Sequence, residues 1–310
     1  MEKQILLDYL ATQGWKECAA RDLLSSGLIN FNMTLDEWNN SFVGVFCSRQ
    51  PARLGLLRHL AAFLDKTPEW EDFTKPRMAN FVKYLAKKTS KNSARTYAAI
   101  LKGILNIYEE NLPCAGVTKV MAAKAEPSQH VALTEEEVEM IHRYQPKTDV
   151  EADIKRAFML ECLCGARSCD IDSLSVDNIR DGWITYVSKK TKTETSVPVH
   201  KYLLEYLKMP VHKTQYFRAA VNRIIKRICR ECGITQKVKL FTHGEWTTKP
   251  KCDLVGSHTA RRSFATQLAL RNVPVATISK LMGHSDVKMT SKYICIDNMS
   301  IGHEAMAFFS

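Results

Sequence analysis

The chain has 310 residues, with 44 Lys plus Arg against 33 Asp plus Glu, a formal charge of +11, and 45% hydrophobic residues. This is globular composition at a length that suits about two domains. No apolar run approaches the roughly 20 residues of a membrane span, and Met1-Glu2-Lys3-Gln4 leads into an amphipathic stretch without a signal-peptide core. A cytoplasmic protein is therefore expected, and the positive excess suggests a polyanionic partner such as nucleic acid. The ten cysteines make no framework. Cys162-x-Cys164 and Cys229-x-x-Cys232 are the only close pairs, and neither has further ligands at zinc spacing. Reduced, mostly buried thiols are the expectation.

Residues 1–70 read as helical, with Trp15, Leu23, Leu24, Trp38, Phe42, Leu54, Leu57, Leu60 and Phe63 available for burial. They form either an extra N-terminal element or the front of a single domain ending near residue 125. Trp38 and Trp70 read as core residues. From Lys75 to Lys102 the chain holds Lys75, Arg77, Lys83, Lys87, Lys88, Lys91, Arg95 and Lys102 and no acid. Phe81, Tyr84 and Leu85, then Tyr97, Ile100, Leu101, Ile104 and Leu105, recur at helical spacing on either side of the break Thr89–Ser93. A helical pair with a buried stripe and a basic exposed face follows, suited to phosphate contact. After Leu112-Pro113 the pattern fades through His130, which reads as a linker.

A second domain, 126–310, opens at Thr134, with Glu137 completing a capping box and Leu133 with Val138 a staple. It reads as mainly α with one small antiparallel sheet. A helix through Ala157, Leu160 and Cys164 ends near Gly165. Trp183–Lys190 and Thr195–Val199 alternate as a hairpin, and Pro198 marks the second strand as an edge. Phe217, Val221, Ile224, Ile228 and Cys232 form a helical stripe stopped at Gly233, opposite Arg218, Arg223, Lys226, Arg227 and Arg230. Helices over Thr259–Leu270, Val275–Met282 and about Asp286–Ile294 follow, the last capped by Ser285.

Phosphate-handling side chains are dispersed through this domain: Arg167 after a helix end, Lys190 in the hairpin, His258 and Arg261 three residues apart, His284 after Gly283, and Tyr293 nine residues later. Taken singly, each has an ordinary explanation as a surface charge, a cap or packing. Their joint order does not. Gly165-Ala166-Arg167-Ser168-Cys169-Asp170, Ser257-His258-Thr259-Ala260-Arg261-Arg262-Ser263-Phe264-Ala265-Thr266 and Leu281-Met282-Gly283-His284…Tyr293 resemble the three main boxes of the tyrosine recombinases, also called phage integrases. The resemblance spans residues 131–310. The basic helices and the Leu133-Thr134-Glu135-Glu136 junction look like that family's core-binding, SAM-like helical domain and its connection to the mixed α/β catalytic domain.

The resemblance implies that Tyr293 is the nucleophile, forming a 3′-phosphotyrosyl link. It implies that Arg167 and Arg261 clamp the non-bridging oxygens, that His258 assists proton transfer, and that His284 stabilises the transition state. Lys190 would protonate the leaving 5′-oxygen, and Asp170 would support the site from behind. Lys189 and Lys192 are the neighbours that compete with Lys190, and strand alternation would turn Lys189 to the other face. Two Arg, two His and one Lys can neutralise a phosphoryl transition state without metal or cofactor. The implied partner is duplex DNA with inverted repeats, bound by a homotetramer that exchanges strands through a Holliday junction, with accessory DNA-bending proteins as further partners. Met299, Ile301, Ala305, Met306, Phe308 and Phe309 make an apolar tail of the kind the family often exchanges between subunits. Integration or excision of a mobile element, dimer resolution and inversion are the open biological roles. A type IB topoisomerase and a catalytically silent DNA-binding regulator are the rival classes.

Overall fold

The computed structural model describes residues 1–51, 53–123, 130–213, 216–242 and 245–295. The chain divides into two compact units, Met1–Pro127 and Ser128–Ser310. The expected boundary falls among residues 124–129, outside the described residues, as does the apolar tail from Met299 onward.

The first unit is helical: α1 (Lys3–Thr12), α2 (Glu17–Leu24), α3 (Leu35–Asn40), α4 (Phe42–Arg49), α5 (Leu54–Leu64), α6 (Lys75–Lys88) and α7 (Lys91–Ile107). Local chemistry sets several starts. Thr34 and Glu37 close a capping box before α3, and Ser41 caps α4 through the Gly44 amide. A single hydrophobic cluster runs from Leu6 to Met121, so the first seventy residues share one core with α6 and α7. Trp38 is 1% exposed. Trp70 donates its indole N–H to the Asn40 carbonyl at 2.9 Å and meets the Phe42 ring edge-on at 5.3 Å. Both tryptophans are packing residues.

α6 and α7 bury Met78, Phe81, Val82 and Leu85, and Ala94, Ala98, Leu101, Ile104 and Leu105. Their connection is shorter than the Thr89–Ser93 break suggests. Ser90 accepts from the Ser93 amide at 3.2 Å, and this cap starts α7 at Lys91. Lys75, Arg77, Lys83, Lys87, Lys88, Lys91 and Arg95 are exposed, and Lys102 is half-buried. Arg77 is held by Asp72 at 2.7 Å.

The second unit contains α8 (Glu135–Arg143), α9 (Asp149–Cys164), α10 (Ser168–Ile171), β1 (Ile179–Arg180), β2 (Trp183–Val187), β3 (Glu194–Pro198) and α11 (Leu203–Lys208). It continues with α12 (Arg218–Glu231), β4 (Lys237–Thr242), β5 (Glu245–Pro250), α13 (Lys251–Leu254), α14 (Thr259–Leu270), α15 (Val275–Leu281) and α16 (Val287–Ser291). The Thr134–Glu137 capping box starts α8 as expected. α9 is central, packed by α8, α10, α11, α12 and α14. Two of its buried charges, Lys155 and Asp153, are hydrogen-bonded, as burial demands. The Lys155 ammonium donates to the His142 and Tyr144 carbonyls at 2.7 and 2.6 Å, and Asp153 accepts from the Tyr216 hydroxyl at 2.6 Å.

Three sequence expectations need correction. Among the described residues the unit has two small antiparallel sheets, β1-β2-β3 and β4-β5, rather than one. β3 is an edge, where Pro198 removes no ladder bond that the sheet requires. β2 stops at Val187 rather than Lys190. The Ser188 amide donates to the Thr193 carbonyl at 2.9 Å and Lys192 adopts φ +55°, which closes a turn in place of the strand's end. Finally, α16 spans only Val287–Ser291 and is capped by Asp286, whose carboxylate takes the Lys288 amide at 2.8 Å, rather than by Ser285. Tyr293 therefore lies in a turn just beyond the helix. All ten cysteines are unpaired, and Cys47, Cys162, Cys164, Cys229 and Cys252 are buried.

Candidate active site

Two glycines bring the three sequence boxes of the second unit into contact. Gly165 ends α9 at φ +65°, and a Cβ there would lie 2.4 Å from the Phe264 ring of α14. Gly283 follows α15 at φ +60°, and a Cβ there would lie 2.6 Å from the Thr195 hydroxyl of β3. Positive φ and close approach both require glycine. The result is that the end of α9, the face of α14, the β2–β3 hairpin and the α15–α16 turn meet.

Arg167 leaves the end of α9 half-buried. It donates to Ser188 Oγ at 2.9 Å and to the Gly283 carbonyl at 3.1 Å. Ser188 Oγ in turn donates to Asp170 at 3.0 Å, and the Lys189 amide donates to the same carboxylate at 2.8 Å. Asp170 is fully buried. It thus reaches Arg167 through Ser188, a link that spacing alone does not disclose.

Arg261 is 2% exposed on α14. It donates to the carbonyls of Gly165 and Met282 and, at 2.9 Å, to His284 Nε2. A guanidinium has five N–H donors, so two remain, and its buried Nε has no partner. Burial and then the neighbouring Arg167 charge push the Arg261 pKa down, although a guanidinium stays charged at any physiological pH. A second buried acid, beyond Asp170, does not cancel this charge. Glu161 of α9 is 5% exposed, and desolvation raises its pKa to about 8 against the pull of Arg261. Near neutral pH the site is therefore a net cation with unused donors, which favours an anion.

His284 is wedged between Arg261 and α16. Because Arg261 can only donate, His284 Nε2 accepts, and Nδ1 carries the proton that it gives to Thr290 Oγ1 at 2.8 Å. Burial, then Arg261 and Arg167, lower the His284 pKa to about 4, so the ring is neutral. The Tyr293 ring packs 5.2 Å from it, with the Arg261 and Arg262 guanidiniums 5.8 and 5.7 Å from the tyrosine ring centre. The Tyr293 amide donates to the Thr290 carbonyl at 2.8 Å, and the Cys295 amide donates to Thr266 Oγ1 of α14 at 2.9 Å. These two bonds hold the tyrosine on its own unit.

His258 is the N-cap of α14 and exposed. Partial desolvation and then the cations Arg262, Arg218, Arg261 and Lys190 lower its pKa. Because the residue as a whole is exposed, water weakens both contributions. Lys190 sits in the exposed turn after β2 and reaches His258 through its charge. Lys189 and Lys192 are exposed on the same turn, so strand alternation does not separate the three.

The structure thus brings Arg261, His284 and Tyr293 into direct contact, seats Arg167 beside them on the Gly283 carbonyl, ties Asp170 to Arg167 through Ser188, and links His258 and Lys190 by their charge. It adds Ser188, Thr290 and Asn222. Asn222 on α12 accepts from the Ser257 amide at 2.9 Å and fixes the approach to His258. On α12, Arg218, Arg223, Arg227 and Arg230 are exposed and Lys226 is half-buried. Arg227 is bound to the buried Glu151, and Arg230 to Asp253 at 2.5 Å. Both guanidiniums are half exposed, so each ion pair leaves part of the group facing solvent.

Residues 131–299 match the model of the phage integrase family. The chain belongs to that family. The tyrosine recombinase XerD of Oceanobacillus iheyensis is 23% identical over 74% of this chain and 80% of its own length. The integrase of Haemophilus phage HP1 is 25% identical over 43% of this chain and 34% of its own. Among solved structures, a lambda integrase dimer bound to a COC′ core site covers 86% of this chain and 96% of that chain, with TM-score 0.61 and 19% identity. The XerH recombinase bound to a palindromic difH substrate covers 99% and 95%, with TM-score 0.59 and 15% identity. As a phage integrase family member the chain is a tyrosine recombinase, an enzyme that cleaves and rejoins DNA strands in site-specific recombination.

Proposed function

We propose that this recombinase cuts duplex DNA at its own inverted-repeat site through Tyr293 and integrates or excises a mobile element. The observation that carries the reading is Tyr293 packed against the buried Arg261 and neutral His284, beside Arg167. In the cleavage step Tyr293 Oη attacks the scissile phosphorus. The P–Oη bond forms and the bond to the 5′-oxygen breaks. His258, with its pKa lowered, takes the phenolic proton, and Lys190 gives a proton to the departing oxygen. Arg167 and Arg261 neutralise the non-bridging oxygens, and Asp170 through Ser188 holds Arg167 in place. Bond energy is kept in the phosphotyrosine, so rejoining needs no nucleotide. Within a synapse of four copies that exchange their C-terminal tails, two such cuts, followed by attack of each freed 5′-hydroxyl on the opposite duplex's phosphotyrosine with release of Tyr293, give a Holliday junction. A related lambda integrase is a tetramer bound to such a junction. Action in the cytoplasm, with DNA-bending accessory proteins, fits this role.

Covalent trapping tests it. The full chain is incubated with nicked duplexes from a randomised library and from the DNA flanking its own gene, then denatured. A 3′-linked adduct is expected on one sequence class and is expected to vanish in Tyr293→Phe. An adduct on almost any duplex makes the chain a topoisomerase, and none on any substrate makes it a regulator. Dimer resolution becomes the better assignment if the trapped sequence is a chromosomal site rather than an element's end.

A further inference from the structure

The β4–β5 hairpin is used by none of the chemistry above. Its register places Phe241 opposite Trp246, Lys239 opposite Thr248 and Lys237 opposite Pro250, all on one face. The other face is seated: Leu240 is 6% exposed, and Val238 and Thr247 are half-buried. The first face is open. Trp246 is 60% exposed and Phe241 38%, and Lys237 and Lys239 are exposed. The Lys239 ammonium lies 5.0 Å from the Trp246 ring centre, and the Phe241 and Trp246 rings meet edge to face at 5.4 Å. The hairpin's one acid, Glu245, is on the seated face.

Such a surface is not explained by folding. Water exposure of a Trp and a Phe side by side gains nothing for the chain's own stability. The pairing of aromatic rings with cations and the exclusion of acid suit a polyanion that also offers sugar and base surface. Lys237 and Lys239, two apart on a strand, are roughly 7 Å apart, the axial rise of two nucleotides on one DNA strand. The base of the hairpin is fixed to the second unit by the Lys251 amide on Gln236 and the Cys252 amide on Ile234, at 2.8 and 3.1 Å. Only seven residues lie between Pro250 and His258, so the base of the hairpin cannot stand more than about 29 Å from that histidine.

We propose that the open face of the β4–β5 hairpin is a DNA-contacting wing, with Lys237 and Lys239 on backbone phosphates beside the cleavage site and Trp246 and Phe241 against the sugars. This rests on the recombinase reading and extends it to surface outside the six catalytic side chains. It makes the hairpin a determinant of grip and positioning.

The test measures binding of the full chain to a fluorescent 30-base-pair duplex by anisotropy across a salt series. Lys237→Gln with Lys239→Gln is expected to weaken binding about 5- to 20-fold and to lower the slope of log affinity against log salt by about 1.8. Trp246→Ala is expected to weaken binding at least 3-fold at an unchanged slope. Both variants alter exposed side chains, and circular dichroism checks that they stay folded. Unchanged affinity and slope in both overturn the wing. So does unchanged DNA binding with a shift in sedimentation, which would assign the face to contact between copies. If the unsubstituted chain does not bind the duplex, the recombinase reading itself falls and takes the wing with it.

Discussion

The site's resting state is set by one hydrogen bond. Arg261 donates to His284 Nε2, which fixes the tautomer and, with burial, keeps the ring neutral. Its pKa is about 4 in the folded chain and near 6.5 in the unfolded one. A depressed folded value means the unfolded state takes up the proton first as pH falls. The stabilisation from neutral His284 is therefore full above pH 6.5 and is lost between there and about pH 4. Between pH 7 and pH 5 the loss is about 2 kcal/mol from this group. Denaturant unfolding at the two pH values checks it. His284→Gln is expected to shrink the difference by most of that amount, and an equal pH dependence in the variant would refute the assignment. Glu161 acts in the opposite sense, since an acid whose folded pKa is raised to about 8 contributes stability at low pH that is lost as pH rises toward 8.

At the scale of elements, α12 earns a second role. Its apolar stripe was legible as Ile224, Ile228 and Cys232, and its polar face as a basic surface. Asn222 was not legible, because an amide on a helix says nothing of its partner until α12 and the residue 256–258 loop are seen together. Asn222→Ala leaves the Ser257 amide without its acceptor, so cleavage of a trapped substrate is expected to fall about 10-fold with little change in far-UV signal. Asn222→Asp keeps an acceptor and adds a negative charge near His258. Activity at high pH is then expected to return while the acid limb of the pH profile moves up. A profile that does not move, with activity lost in both variants, would mean Asn222 serves only folding. The same contrast holds elsewhere. Thr134, Gly165 and the α14 range were readable because caps and periodicity are local. The end of β2 and the whole β4–β5 hairpin were not. Lys, Thr and Glu dilute their alternation, and a turn closed by backbone bonds at Ser188 leaves no composition signal.

Across the molecule, the +11 charge is distributed between both units, but not all of it is available to DNA. Residues such as Lys83, Lys87 and Lys88 are exposed on α6 without an ion pair among the described residues. Arg227 instead pins Glu151, whose side chain is 1% exposed. The two classes separate in one experiment. Lys83→Gln, Lys87→Gln and Lys88→Gln together are expected to lower the salt slope of duplex binding by about 0.9 for each phosphate they touch, with stability unchanged. Arg227→Gln is expected to leave the slope in place and to cost roughly 1.5–3 kcal/mol of folding stability, because it removes a charged donor from a buried carboxylate. Glu151 keeps the Lys147 amide at 2.7 Å and the Tyr144 hydroxyl at 3.3 Å, so the loss falls at the lower end of that range. Guanidinium unfolding beside anisotropy titration reads both quantities. A slope that drops for Arg227→Gln with stability intact would return that arginine to the DNA-binding face and leave Glu151 to its other two donors.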